Sequence, residues 1–121
     1  MSIRIDDALG VHERALGLRM QRSEILAANL ANEDTPGFQA RDIDFSKEMQ
    51  RLDSSIPPRM TLGGTDPQLL FRVPGQASQD GNTVELSTEQ AQFSRNSMDF
   101  QTSLTFVTMK FRGLKQAIEG R

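Results

Sequence analysis

The chain contains no cysteine, one histidine and no uninterrupted apolar run of membrane-spanning length. The first absence removes disulfides, thiolate metal sites and cysteine nucleophiles together. The second leaves His12, beside Glu13, with no other imidazole or thiol to complete a metal site or a nucleophile pair, so it reads as ordinary helix surface or interface. No segment approaches the ~20 apolar residues of a membrane helix, which argues against direct membrane insertion. The start Met1-Ser2-Ile3-Arg4-Ile5-Asp6-Asp7 likewise lacks the apolar core of a secretory signal. An excess of one charge is missing too: 14 Lys and Arg face 16 Asp and Glu, a net charge of −2, with the bases spread evenly. That leaves no electrostatic footprint for nucleic acid.

Catalytic constellations are equally thin. Asp42 and Asp44 alternate along the chain, but paired carboxylates do acid–base work only in a cleft that moves one pKa. Asp44 reads better as the cap of a short helix. Gly63-Gly64 has no following lysine and helix, so it is not a phosphate loop. Phe93, Phe100, Phe106 and Phe111 lack the interleaved basic groove of a single-strand platform. Nothing points to an enzyme, a cofactor or a metal.

What the sequence does contain is helical periodicity at both ends. Over residues 1–32, Asp6 and Asp7 suit a helix start. From there Ala8, Val11, Ala15, Leu18 and Ile25 recur at three- and four-residue spacing, with Leu9, Leu16, Leu26 and Leu30 alongside, a broad apolar face. Gly10 and Gly17, seven apart, each cost about 1 kcal/mol in a helix interior relative to alanine. They either admit a neighbouring helix or are tolerated weak spots. Over residues 87–121 the pattern is stricter. Ser87 and Gln90 fit a capping box, with Leu86 as staple residue. Positions 93 to 118 then alternate in fours and threes: Phe93, Ser97, Phe100, Leu104, Val107, Phe111, Leu114 and Ile118, a seam broken only by Ser97. This is the repeat of a helix packed lengthwise in a coiled coil, about 48 Å long at ~1.5 Å per residue. Lys110, Arg112 and Lys115 complement its dipole, and Gly120 stops it.

Between them, residues 33–86 hold all five prolines and five of the nine glycines. A short helix over Phe45 to Leu52, a strand at Leu69–Val73 and a turn at Asp80-Gly81-Asn82 before strand-like Thr83-Val84 are predicted in an otherwise irregular excursion. The fold class is therefore mostly α: long terminal helices packed as a coiled-coil-like pair, forming one domain, with a loop-rich middle. A chain this small buries only about two-thirds of its unfolded surface when it folds alone. One partner helix cannot cover both apolar faces, and copies offset along an axis would make heterologous contacts that build tubes.

The first helix ends in Asn29-Leu30-Ala31-Asn32-Glu33-Asp34-Thr35-Pro36-Gly37-Phe38. Asn32 suits a left-handed helix exit. Thr35 before proline is disfavoured in the helical region, and Pro36-Gly37 predicts a type II turn that sets down Phe38. The pattern Asn29, Leu30, Ala31, Asn32, then Thr35, Pro36, Gly37, Phe38 resembles the N-terminal signature of the axial proteins of the bacterial flagellum, the rod, hook and hook-associated subunits. Ala40-Arg41-Asp42-Ile43-Asp44-Phe45, Asp80-Gly81-Asn82-Thr83-Val84, Glu89-Gln90 and the ending Ser103-Leu104, Phe111, Leu114-Lys115, Ala117-Ile118 and Gly120 narrow the resemblance to proximal rod subunits. It spans nearly the whole chain, with a middle short for the family.

The resemblance implies a structural subunit of the proximal rod that assembles axially, transmits torque and lines the export channel. It would pass through the flagellar type III export apparatus without a cleaved signal peptide and end in the periplasmic part of the basal body, among copies of itself and other rod and basal-body proteins. Phe93, Phe100, Leu104, Val107, Phe111, Leu114 and Ile118 would be its assembly seam. The alternatives are another flagellar rod subunit, or a cytoplasmic helical adaptor or secretion chaperone using the same heptads in a soluble dimer.

Overall fold

The structure, a computed structural model, describes residues 5–54 and 67–120; Gly63-Gly64 and the side chains of Asp6, Asp7 and Ala8 lie outside the described set. In chain order the elements are α1 (Ile5–Ala31), β1 (Arg41–Asp42), α2 (Phe45–Ser54), β2 (Leu70–Phe71) and α3 (Leu86–Glu119). The two long helices pack together. They run antiparallel: Asn29, Ser23 and Arg19 of α1 bond in turn to Glu89, Asn96 and Asp99 of α3. The fold is mostly α as the periodicity predicts, with a short middle helix and a small two-stranded sheet.

Each boundary has a local cause. α1 stops where Asn32 turns its side-chain amide back onto the Ala28 carbonyl at 2.7 Å. α2 starts on Asp44, whose carboxylate accepts the Lys47 amide at 3.2 Å and whose carbonyl accepts that of Glu48 at 3.0 Å. α3 ends on Gly120 at φ 68°, its amide donating to the Gln116 carbonyl. The start of α3 departs from the capping box read from Ser87 and Gln90. Glu85 holds the cap position with no side-chain cap bond, and Leu86 is the first helical residue and exposed. The Glu85 carboxylate instead accepts from the Gly75 amide and the Thr88 hydroxyl, which ties the loop before α3 to its first turn.

The ribbon pairs Arg41 with Phe71 and Asp42 with Leu70, antiparallel. β2 falls inside the predicted Leu69–Val73 strand, whereas β1 carries no strand signal of its own. Thr83-Val84 joins no strand. The Thr83 amide donates to the Phe38 carbonyl at 2.9 Å and its hydroxyl accepts the Ala40 amide at 2.7 Å.

Among the described residues the fully buried apolar side chains are Leu18, Leu26, Ala40 and Ile43. Asn29, Glu48, Asn82, Glu89 and Asn96 are buried with them. So polar a centre cannot hold by apolar area alone; its geometry depends on satisfied hydrogen bonds and charges.

Candidate assembly site

The turn after α1 closes as the Pro36-Gly37 pair requires. The Phe38 amide donates to the Thr35 carbonyl at 3.2 Å, and Gly37 sits at φ 74° in the third position of a type II turn. This turn is docked against the one around Gly81, itself at φ 76°. The Gly37 amide donates to the Asp80 carbonyl at 2.9 Å, and a β-carbon on Gly81 would lie 3.7 Å from the Gly37 Cα. Asn82 completes the joint. Its side-chain amide reaches the carbonyls of Asn32, Glu33 and Thr35 at 3.0, 2.7 and 2.8 Å, and its side-chain oxygen accepts the Val84 amide at 2.8 Å. One asparagine thus gathers three carbonyls just past the end of α1, two of which, those of Asn32 and Thr35, also accept the Thr35 and Phe38 amides.

Beside this joint is a charge cluster. Arg22 grips Asp42 through two nitrogens at 2.9 and 3.0 Å and donates to Gln92 of α3 at 3.0 Å. Arg72, next to β2, reaches Asp42 at 2.7 Å. Its Nε lies 2.9 Å from Glu89 Oε1, a charge contact without an aligned hydrogen bond. The other Glu89 oxygen accepts from Asn29 at 3.0 Å, and Asn29 also exchanges bonds with the Arg41 backbone at 2.6 and 3.1 Å. Two cations and two anions therefore pin α1, β1, β2 and α3 to each other. Burial alone would raise the Asp42 pKa. The Arg22 hydrogen bonds, the Ile43 amide and the charges of Arg22 and Arg72 outweigh it and hold the carboxyl below its ordinary value. For Arg22 the bonds to Asp42 come first and raise the pKa. Arg19, over the Phe45 ring at 4.0 Å, is shifted down, chiefly by burial.

Asp42 is thus a structural ion-pair member and Asp44 a helix cap, and the two share no acid–base arrangement. His12 is half-buried on α1, and no group of three or more metal-ligating side chains occurs among the described residues. Nor is any described helix long and apolar enough to cross a membrane. Sequence reasoning missed Arg22, Arg72 and Asn96, and it placed Asn82 and Glu89 only in a turn and in the resemblance, without the buried contacts they make. A signal for Arg22 and Asn29 was there: the row Ala8, Val11, Ala15, Leu18, Ile25 skips position 22, and positions 22 and 29 continue it at the same spacing. A charged residue on an apolar row calls for a buried partner.

The apolar row of α3 is divided. Phe93, Phe100, Val107 and Leu114 are half-buried. Leu104, Phe111 and Ile118, on the same seven-residue spacing, stay 40%, 54% and 78% exposed, and Phe106 and Met109 are exposed on the opposite side of the helix. The polar contacts seen between the long helices among the described residues run from Glu89 to Asp99, so the end of the pair nearest the central segment is locked, while the far half of α3 presents exposed apolar side chains.

A helix pair locked at one end and apolar at the other is the form of a structural assembly subunit. Residues 9–39 match the family model described as flagella basal body rod protein. Over 96% of this chain and 96% of the relative, the chain is 42% identical to the flagellar basal body rod protein FlgB of Yersinia ruckeri. It is 41% identical to that of Salmonella typhimurium, over 97% and 96% of the two chains, and 42% identical to that of Cereibacter sphaeroides, over 94% and 95%. The chain belongs to the FlgB family of flagellar basal body rod proteins. The Yersinia alignment runs over 132 residues against 121 here, so that relative carries residues without a counterpart in this chain.

Proposed function

We propose that this chain is a structural subunit of the proximal rod of the flagellar basal body, in which residues 1–32 and 87–121 form one helical unit and residues 33–86 an excursion from it. The observation that carries this reading is the bare row Leu104, Phe111 and Ile118 in a chain whose full-length relatives are rod proteins. Exposed apolar surface of this extent on a long helix has a partner in the working state. Copies of this chain and other rod and basal-body proteins would cover it. The assembled helices would transmit torque and surround the export channel. Passage through the flagellar type III export apparatus with the N-terminus intact, into the periplasmic rod, belongs to the same reading.

Replacing Phe111 or Leu104 by Asp tests it. A carboxylate at a contact meant to be dry costs several kcal/mol in the assembly. Either variant should be produced and exported yet be absent from isolated basal bodies, and the cells should lack hooks. Arg112→Asp, which alters a solvated charge, should assemble. Normal incorporation of Phe111→Asp would remove the row from the subunit contact. A cytosolic pool with none in basal bodies, for the unaltered protein, would favour the adaptor reading.

A further inference from the structure

Gly17 sits in the interior of α1, where glycine is a poor helix former, yet among the described residues nothing needs the space: a β-carbon there would meet no atom within 4 Å. At ~100° per residue it lies about 180° around the helix from the buried Leu26, on the face turned away from α3. By the same geometry Gly10, Glu13, Gln21, Glu24, Ala28 and Ala31 all fall within about 40° of it. Glu13 and Glu24 are exposed there, while the Arg14 guanidinium lies against Gly10, 3.5 Å from where a β-carbon would sit, and leaves Gly10 half-buried. From Gly17 through Gln21, Glu24, Ala28 and Ala31 the face is shallow, exposed and acidic.

The bare row of α3 is its complement in shape and in charge. Leu104, Phe111 and Ile118 project large side chains at intervals of seven, the interval that separates the open Gly17 from the exposed Glu24. From Phe100 to Ile118 α3 has no acidic residue and carries Lys110, Arg112 and Lys115, all exposed. The α1 face is turned away from α3, so the two patches of one chain do not meet within the subunit. A contact between two unlike patches is heterologous and propagates from copy to copy without closing.

We propose that the α3 row Leu104, Phe111, Ile118 of one copy packs onto the outer face of α1 of a second copy, a large side chain over Gly17, with the α3 lysines near Glu24. This names the partner surface for the row and rests on the rod-subunit reading.

The absence of cysteine makes a clean test. Cells co-express two forms of the protein, one carrying Gly17→Cys and the other Leu104→Cys, Phe111→Cys or Ile118→Cys, and isolated basal bodies are treated with a mild oxidant. A disulfide-linked dimer should form for at least one mixed pair and not for Gly17→Cys alone. Cross-links only between two copies of the same α3 variant, only to a different protein, or to nothing in basal bodies that contain both forms would overturn the proposal. A second variant guards against misfolding. With nothing near the site, Gly17→Leu should keep the helix content of the monomer by circular dichroism while its incorporation into basal bodies falls at least tenfold. If Gly17→Leu enters basal bodies as the unaltered chain does while Phe111→Asp is excluded, the rod reading stands and this pairing falls.

Discussion

Asn29 donates its side-chain amide to Glu89 at 3.0 Å, and both side chains are sealed from solvent, sixty positions apart in the chain. The first residue of the turn motif is thereby fastened to the first turns of α3. Asn29 also holds the Arg41 backbone, so one side chain ties the exit of α1 to both β1 and α3.

Asn29→Ala should destabilise the isolated protein by about 2–4 kcal/mol, because Glu89 loses a buried donor and the Arg41 amide and carbonyl lose theirs. Asn29→Asp should be worse, placing a second carboxylate against Glu89. Thermal unfolding followed by circular dichroism measures both. An unchanged midpoint for Asn29→Ala would mean that the Asn29–Glu89 bond contributes nothing.

Acid should loosen the same cluster. The Asp42 carboxyl has a pKa below its ordinary 3.8 in the folded chain. Its contribution is therefore full above that ordinary value and disappears as pH falls through the lower, folded one. The unfolding midpoint of wild type should exceed that of Asp42→Asn at pH 7, with the gap narrowing only below about pH 4. A gap of constant size down to pH 2 would show that Asp42 acts through shape and not through charge.

At Gly37 the prediction isolates backbone strain, since a β-carbon there meets nothing within 4 Å and the cost is one of φ alone. Gly37→Val should lose about 1–2 kcal/mol and Gly37→Asn distinctly less. In flagellated cells at matched expression, motility should follow the same order. Equal stability of the two variants would count against the type II turn as the determinant.

Asn82→Ala removes three contacts to the end of α1 and should cost about 1–3 kcal/mol, with faster amide exchange across residues 32–38. Asn82→Asp should cost more at neutral pH, where a carboxylate would face three carbonyls at a helix C-terminus, and should recover toward the alanine value in acid. Identical behaviour of the two variants at pH 7 would rule out the carbonyl joint.

Much of the architecture was legible in the sequence because its causes are local. The three- and four-residue spacings place α1 and α3. Asp44 caps α2 from its own neighbourhood, and Gly120 and the Pro36-Gly37 pair carry the φ values that their positions demand. The Ser87 cap went astray because α3 begins earlier, at Leu86 with Glu85 in the cap position, where the carboxylate serves Gly75, ten residues before it.

Which half of the α3 row is covered, and which polar residues go inside, only the tertiary structure decided. Periodicity places Phe100 and Phe111 in one seam; α1 can shield only one side of it, so Phe100 is half-buried and Phe111 is left bare. The Arg22–Asp42–Arg72–Glu89 cluster joins residues 17 to 30 positions apart along the chain. No spacing rule fixes such partners, because ion pairs form wherever folding happens to bring opposite charges out of water together.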